Sequence, residues 1–174
     1  MSDKPELTHV AVARKYIGLK EIKGVKHNPT ILALTVKAFA ATGKKSWIND
    51  DETPWCGSFV GGVFAEAGIG KKIPKEFFRA KEWEKAGTKL DKPAYGCVVT
   101  FTRDGGGHVG FVVGKTKTGM LKVLGGNQSN AVTIQDFDPK RVTAYRWIST
   151  GTTPHDYRYD LPVLAAGRIS TNEA

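Results

Sequence analysis

The chain has 174 residues, 40% hydrophobic and 25% charged, proportions that exclude disorder along its length and suit one domain with its own core. Lys and Arg number 26 against 17 Asp and Glu, a formal net charge of +9. The basic residues are spread along the chain rather than gathered in one block as a nucleic-acid site would have them. They license only a long-range pull towards polyanions, whether nucleic acid, an anionic membrane surface or a bacterial cell wall, or simply a soluble basic surface. No run approaches the roughly 20 apolar residues of a membrane span. The N-terminus also lacks an apolar signal core, so synthesis in the cytoplasm is expected.

In chain order, Thr8 to Leu19 carries Val10, Val12, Ala13, Tyr16 and Ile17 near helical spacing, and Asn28-Pro29 opens a second helix ending near Gly43. Lys44 to Glu52 reads as a polar loop, whose acidic run Asp50-Asp51-Glu52 is expected to be a solvated approach to a helix dipole rather than a cation site. Thr53-Pro54-Trp55-Cys56 opens the third helix, with Thr53 as N-cap and Cys56 at the third helical position, and Gly68 stops it. Glu76 to Ala86 reads as a fourth helix. Glycine-punctuated apolar runs then predict strands at Cys97–Phe101, His108–Val113, Met120–Leu124, Val132–Ile134 and Arg141–Trp147. Helices followed by an antiparallel sheet define an α+β fold. Residues 1–150 read as one domain, and 151–174 as a surface strap or flexible tail.

Three residues carry the candidate chemistry. Cys56, in the first turn of a helix, lies near unpaired N–H groups and the positive end of the dipole, both of which favour a thiolate reactive below the ordinary thiol pKa of about 8.5. His108 follows three glycines, and Gly110 beside it would let the Cys56 helix approach. A histidine base needs an acceptor on its far nitrogen, and Asn127 after Leu124-Gly-Gly can supply it. Gln128 points the other way if the strand continues, and joins Trp55 and Trp47 as a candidate substrate contact. Cys97 sits in an apolar run and reads as a buried hydrophobe. No Cys or His pair stands at zinc-ligand spacing, so neither metal nor cofactor is expected.

Asp51-Glu-Thr-Pro-Trp-Cys56-Gly-Ser-Phe-Val60, Gly107-His-Val-Gly-Phe-Val112, Leu124-Gly-Gly-Asn-Gln-Ser129 and Tyr145-Arg-Trp147 together resemble the motif series of the CHAP and NlpC-like papain-fold peptidoglycan hydrolases of bacteria and phages. The resemblance implies a papain-like fold with Cys56 as nucleophile, His108 as base and Asn127 as orienting residue. Many CHAP members carry glutamate two positions before the asparagine, where this chain has Gly125. It further implies a monomeric, phage endolysin-type endopeptidase or amidase. Such an enzyme would cut an amide of the peptidoglycan stem, made in the host cytoplasm and acting in the periplasm or wall after holin-type release. Other readings of the same fold are a non-catalytic wall-binding module and an acyltransferase or deamidating toxin.

Overall fold

The computed structural model describes residues 4–149 and 151–171. Three helices, α1 (Thr8–Lys15), α2 (Pro29–Ala41) and α3 (Cys56–Glu66), precede six strands: β1 (Thr88–Leu90), β2 (Val98–Arg103), β3 (Gly106–Lys115), β4 (Leu121–Gln128), β5 (Ala131–Phe137) and β6 (Val142–Trp147). The strands form one antiparallel sheet in the order β1-β6-β2-β3-β4-β5. The architecture is α+β, as the sequence pattern predicts.

Each helix ends where local chemistry requires it. Asn28 caps α2, its side-chain oxygen accepting from the Thr30 N–H at 2.9 Å, with Pro29 at the first helical position. Helix α1 stops at Lys15 rather than Leu19, because Gly18 turns left-handed (φ 97°). Gly18 and Leu19 then pair with the Val132 backbone at the edge of β5.

The predicted fourth helix is not an α-helix. The backbone bonds Phe77 to Pro74, Arg79 to Glu76, Glu82 to Arg79 and Ala86 to Trp83 all span three residues, and Ala80–Lys85 forms a 3-10 helix. Phe77, Ala80, Trp83 and Ala86 are all buried. A spacing of three lines them up only at three residues per turn, so burial selects the tighter winding.

The sheet is buried on both faces. Val109, Phe111 and Val113 of β3 and Leu124 of β4 pack against Phe59, Val60, Val63 and Phe64 of α3, while Val99, Phe101, Val112, Leu121, Val123 and Phe137 form a second cluster. Phe101 on β2 and Phe137 on β5 stack with ring centroids 4.5 Å apart although β3 and β4 lie between their strands. In a flat sheet those strands would be about 14 Å apart, so the sheet curls towards a barrel with the second cluster inside. The tail straps this curl. Val163 bridges Lys115, Ile169 bridges Asp136, and the Gly167 N–H donates to Asp136 at 2.7 Å, with Asp136 also paired to buried Lys122.

His9 ties α1 to the sheet. Its ring is buried between Phe64 and Phe111, with Nε2 2.8 Å from the Gly96 carbonyl. Burial lowers its pKa from 6.5 to about 4, so the ring is neutral at pH 7. Because the folded value lies below the unfolded one, this contribution to stability is complete above pH 6.5 and is lost as pH falls towards 4. Its size is roughly 3 kcal/mol. Urea midpoints should fall over that window, and His9→Gln should flatten the decline; an unchanged slope in the variant would refute the assignment.

Candidate active site

Cys56 is the first residue of α3, not the third. Trp55 occupies the N-cap position without a side-chain cap. Thr53 is held instead by Asp50, which accepts from both its hydroxyl (3.0 Å) and its backbone N–H. Its side chain is therefore spent on the preceding turn. Trp55 is 2% exposed, with Nε1 donating to Glu21 at 2.7 Å, and serves as a packing anchor rather than the substrate contact expected from its position.

The acidic run is not solvated throughout: Glu52 is exposed and Asp50 half-buried, but Asp51 is not. Asp51 is fully buried and accepts from the Ile22 and Asn28 N–H groups, both at 2.8 Å, and from His27 Nδ1 at 3.0 Å. Burial alone would raise its carboxyl pKa, but these donors outweigh it and hold the group below the ordinary carboxylate value. Asp51 thus anchors the strand of chain leading to Cys56 against residues 22–28. Among the described residues no group of His, Cys, Asp and Glu is arranged to hold a metal ion.

Glycines bring the neighbouring segments onto the start of α3. A Cβ on Gly57 would stand 2.1 Å from the Phe77 carbonyl oxygen, and one on Gly126 would stand 2.6 Å from Phe59 Cβ and 2.7 Å from the Trp55 ring. The Phe77–Phe78 backbone and β4 therefore close on the helix start from two directions. Gly110 does not assist the helix as expected; its missing Cβ would meet Val123 of β4 at 2.6 Å.

The Cys56 sulfur lies against the stretch of β3 that carries the histidine. Burial pushes its thiol pKa above the ordinary thiol value, opposed by the backbone N–H groups of Val109, Gly57 and Cys56 and by the positive charge of Arg103. The helix start does favour the thiolate, as its position predicts. Desolvation of a sulfur 4% exposed is the larger effect, and the expected low thiol pKa is not what this environment gives. Cys97, fully buried, has its thiol pushed up to about 12.

His108 is 1% exposed and lies parallel to the Phe137 ring (centroids 5.5 Å apart, 2°). Its Nε2 is 3.0 Å from Gln128 Oε1. Gln128 is fully buried, and its amide nitrogen donates to the carbonyls of Val123 (3.1 Å) and Thr133 (2.9 Å). Those acceptors fix which end of the amide is oxygen. An acceptor facing Nε2 then requires Nε2 to carry the proton, which makes Nδ1 the basic nitrogen of the neutral ring.

His108 Nε2 thus faces Gln128 rather than Asn127. Uninterrupted alternation would place residue 127 on the histidine side, but the β4–β5 register shifts between Gly125 and Gln128, and Asn127 adopts a left-handed conformation (φ 56°). The bulge moves Gln128 onto the histidine side. It also explains Gly125: a Cβ there would stand 2.4 Å from Gln128 Oε1 and 3.4 Å from His108 Nε2. The position where many CHAP members carry glutamate is empty of side chain because the Gln128 amide fills that space. Gln128, buried in this role, is no substrate contact. Trp47 is 62% exposed and edge-on to Phe78 at 5.3 Å, beside the segment that crosses Gly57, a position open to solvent as the expected contact requires.

A thiol at a helix start, against a strand whose histidine bonds an amide of the next strand, is the arrangement expected of a papain-like cysteine hydrolase. Residues 48–127 match the model of the CHAP domain, whose members are generally cysteine- and histidine-dependent peptidoglycan hydrolases, and the match supports assigning this stretch to that family. The matched stretch runs from just before the acidic turn to Asn127 and so takes in Cys56 and His108. Comparison with curated proteins and with solved structures gives no match.

Proposed function

We propose that the protein cleaves an amide bond of the peptidoglycan stem, as an endopeptidase or N-acetylmuramoyl-L-alanine amidase, with Cys56 as nucleophile, His108 as base and Gln128 orienting the histidine. The observation that carries this reading is the Gln128–His108 hydrogen bond, which leaves Nδ1 as the basic nitrogen on the residue next to Val109, whose N–H addresses the Cys56 sulfur. His108 Nδ1 takes the thiol proton as the sulfur attacks the amide carbonyl. The N–H groups at the start of α3, which already favour negative charge at the sulfur, stabilise the developing oxyanion. The C–N bond breaks as His108 returns the proton to the leaving amine, and water, deprotonated by the same nitrogen, releases the acyl group. The raised thiol pKa suits this order, in which proton transfer accompanies attack rather than preceding it.

The phage-lysin role, with a monomer acting in the wall after holin-type release, is part of the proposal and is supported by the motif series alone. Mass spectrometry of digested wall is its direct test. One stem-peptide or muramoyl–alanine bond should yield new free amino groups, one for each acid group released. Products carrying a transferred acyl group instead would point to an acyltransferase.

A further inference from the structure

Arg103 stands out among the cations near the site. It ends β2, and the two-residue turn Asp104–Gly105 returns the chain into β3 with Arg103 opposite Gly106 and Phe101 opposite His108. Strand alternation puts Arg103 on the same face of this hairpin as His108. Its Nε donates to the Gly107 carbonyl at 2.9 Å, which fixes the guanidinium beside the residue preceding His108. Arg103 makes no ion pair among the described residues, and its remaining N–H groups meet only the Asp104 carbonyl, at 3.5 Å. Lys81, on the other face of the hairpin, differs in each respect. It bonds Thr102 and is neutralised by Glu84 at 3.3 Å. Arg141 lies over the Phe101 and Phe137 rings.

An uncompensated, half-buried guanidinium fixed by its own backbone is a preorganised receptor for a carboxylate, with two-pronged geometry. We propose that Arg103 forms an anion-recognising subsite beside His108 and, resting on the hydrolase reading above, makes the enzyme select substrates that carry a free carboxylate next to the scissile amide. Arg103 would then be a specificity-determining residue, acting on binding and orientation of the acidic stem rather than on proton transfer.

Two readouts separate this subsite from the hydrolase reading. In a Cys97→Ala background, which leaves one thiol, Cys56 is alkylated with anionic iodoacetate and with neutral iodoacetamide. Both reagents meet the same thiolate, so the ratio of their rates reports local charge. Arg103→Gln should lower that ratio at least about threefold, and Arg103→Lys should largely preserve it. On purified stem-peptide fragments, wild type should prefer free-acid over carboxamide forms by about 10- to 100-fold in kcat/KM, with the preference collapsing in Arg103→Gln. An alkylation ratio unmoved by Arg103→Gln overturns the subsite by itself, as does equal cleavage of the acid and carboxamide forms by wild type. A ratio that falls while wild type cleaves neither form refutes the hydrolase reading and leaves the anion subsite standing.

Discussion

Cys56→Ala should abolish clearing of purified peptidoglycan, by at least about 10⁴-fold, because it removes the sulfur that forms the acyl-enzyme. Cys97 cannot substitute: it is fully buried, and its thiol is pushed up to about 12. The loss must be chemical and not structural. The Cys56 side chain sits in the core cluster beneath α3, so the alanine variant should lose only about 1 kcal/mol and keep a cooperative melt. Turbidity clearing and thermal melts on the same preparation separate the two. A variant that clears wall within a hundredfold of wild type would sink the nucleophile assignment. The same residue makes a second, finer test. With burial as the dominant influence, alkylation of resting Cys56 should keep accelerating past pH 9 rather than level off below 8.5. A plateau at neutral pH would instead reveal a preformed thiolate–imidazolium pair.

The Gln128 prediction separates two neighbours in one motif. Gln128→Ala removes the acceptor that fixes the His108 tautomer, and kcat should fall by about 10² to 10⁴. Asn127→Ala removes a side chain that makes no hydrogen bond to a described residue, and its effect should stay within about tenfold. Because the Gln128 amide also satisfies the Val123 and Thr133 carbonyls, the alanine variant should be destabilised by about 1–3 kcal/mol, so kcat is compared well below the melt. Gly125→Ala offers a milder route to the same defect, since the new methyl would collide with Gln128 Oε1 and push it off the histidine. If Asn127→Ala proves the more damaging change, the orienting role passes back to Asn127.

The charge on Arg103 and the burial of Cys56 act in opposite directions on one sulfur, and burial prevails. A substrate carboxylate seated on Arg103 would cancel its charge and expel water, which strengthens the need for concerted proton removal by His108. Specificity and base catalysis are linked in this site through the β2–β3 hairpin that carries both residues.

By itself the sequence determined the class of fold and singled out the candidate cysteine and histidine. Those features rest on local signals: helical spacing before Gly68, apolar runs between glycines after Gly87, a cysteine at a helix start and a histidine opening a strand. Only the tertiary structure decided the rest. Period-2 alternation pointed to Asn127, and a bulge set by β4–β5 pairing brings Gln128 against His108 instead, because one inserted residue flips every side chain beyond it. The acidic run reads as polar loop in any local window, yet Asp51 is buried, since its donors come from backbone more than twenty residues away. The thiol environment belongs to the same kind. A helix start favours a thiolate, but how much water reaches the sulfur depends on what packs over it, and that is fixed by the glycine-permitted approach of Phe77 and β4.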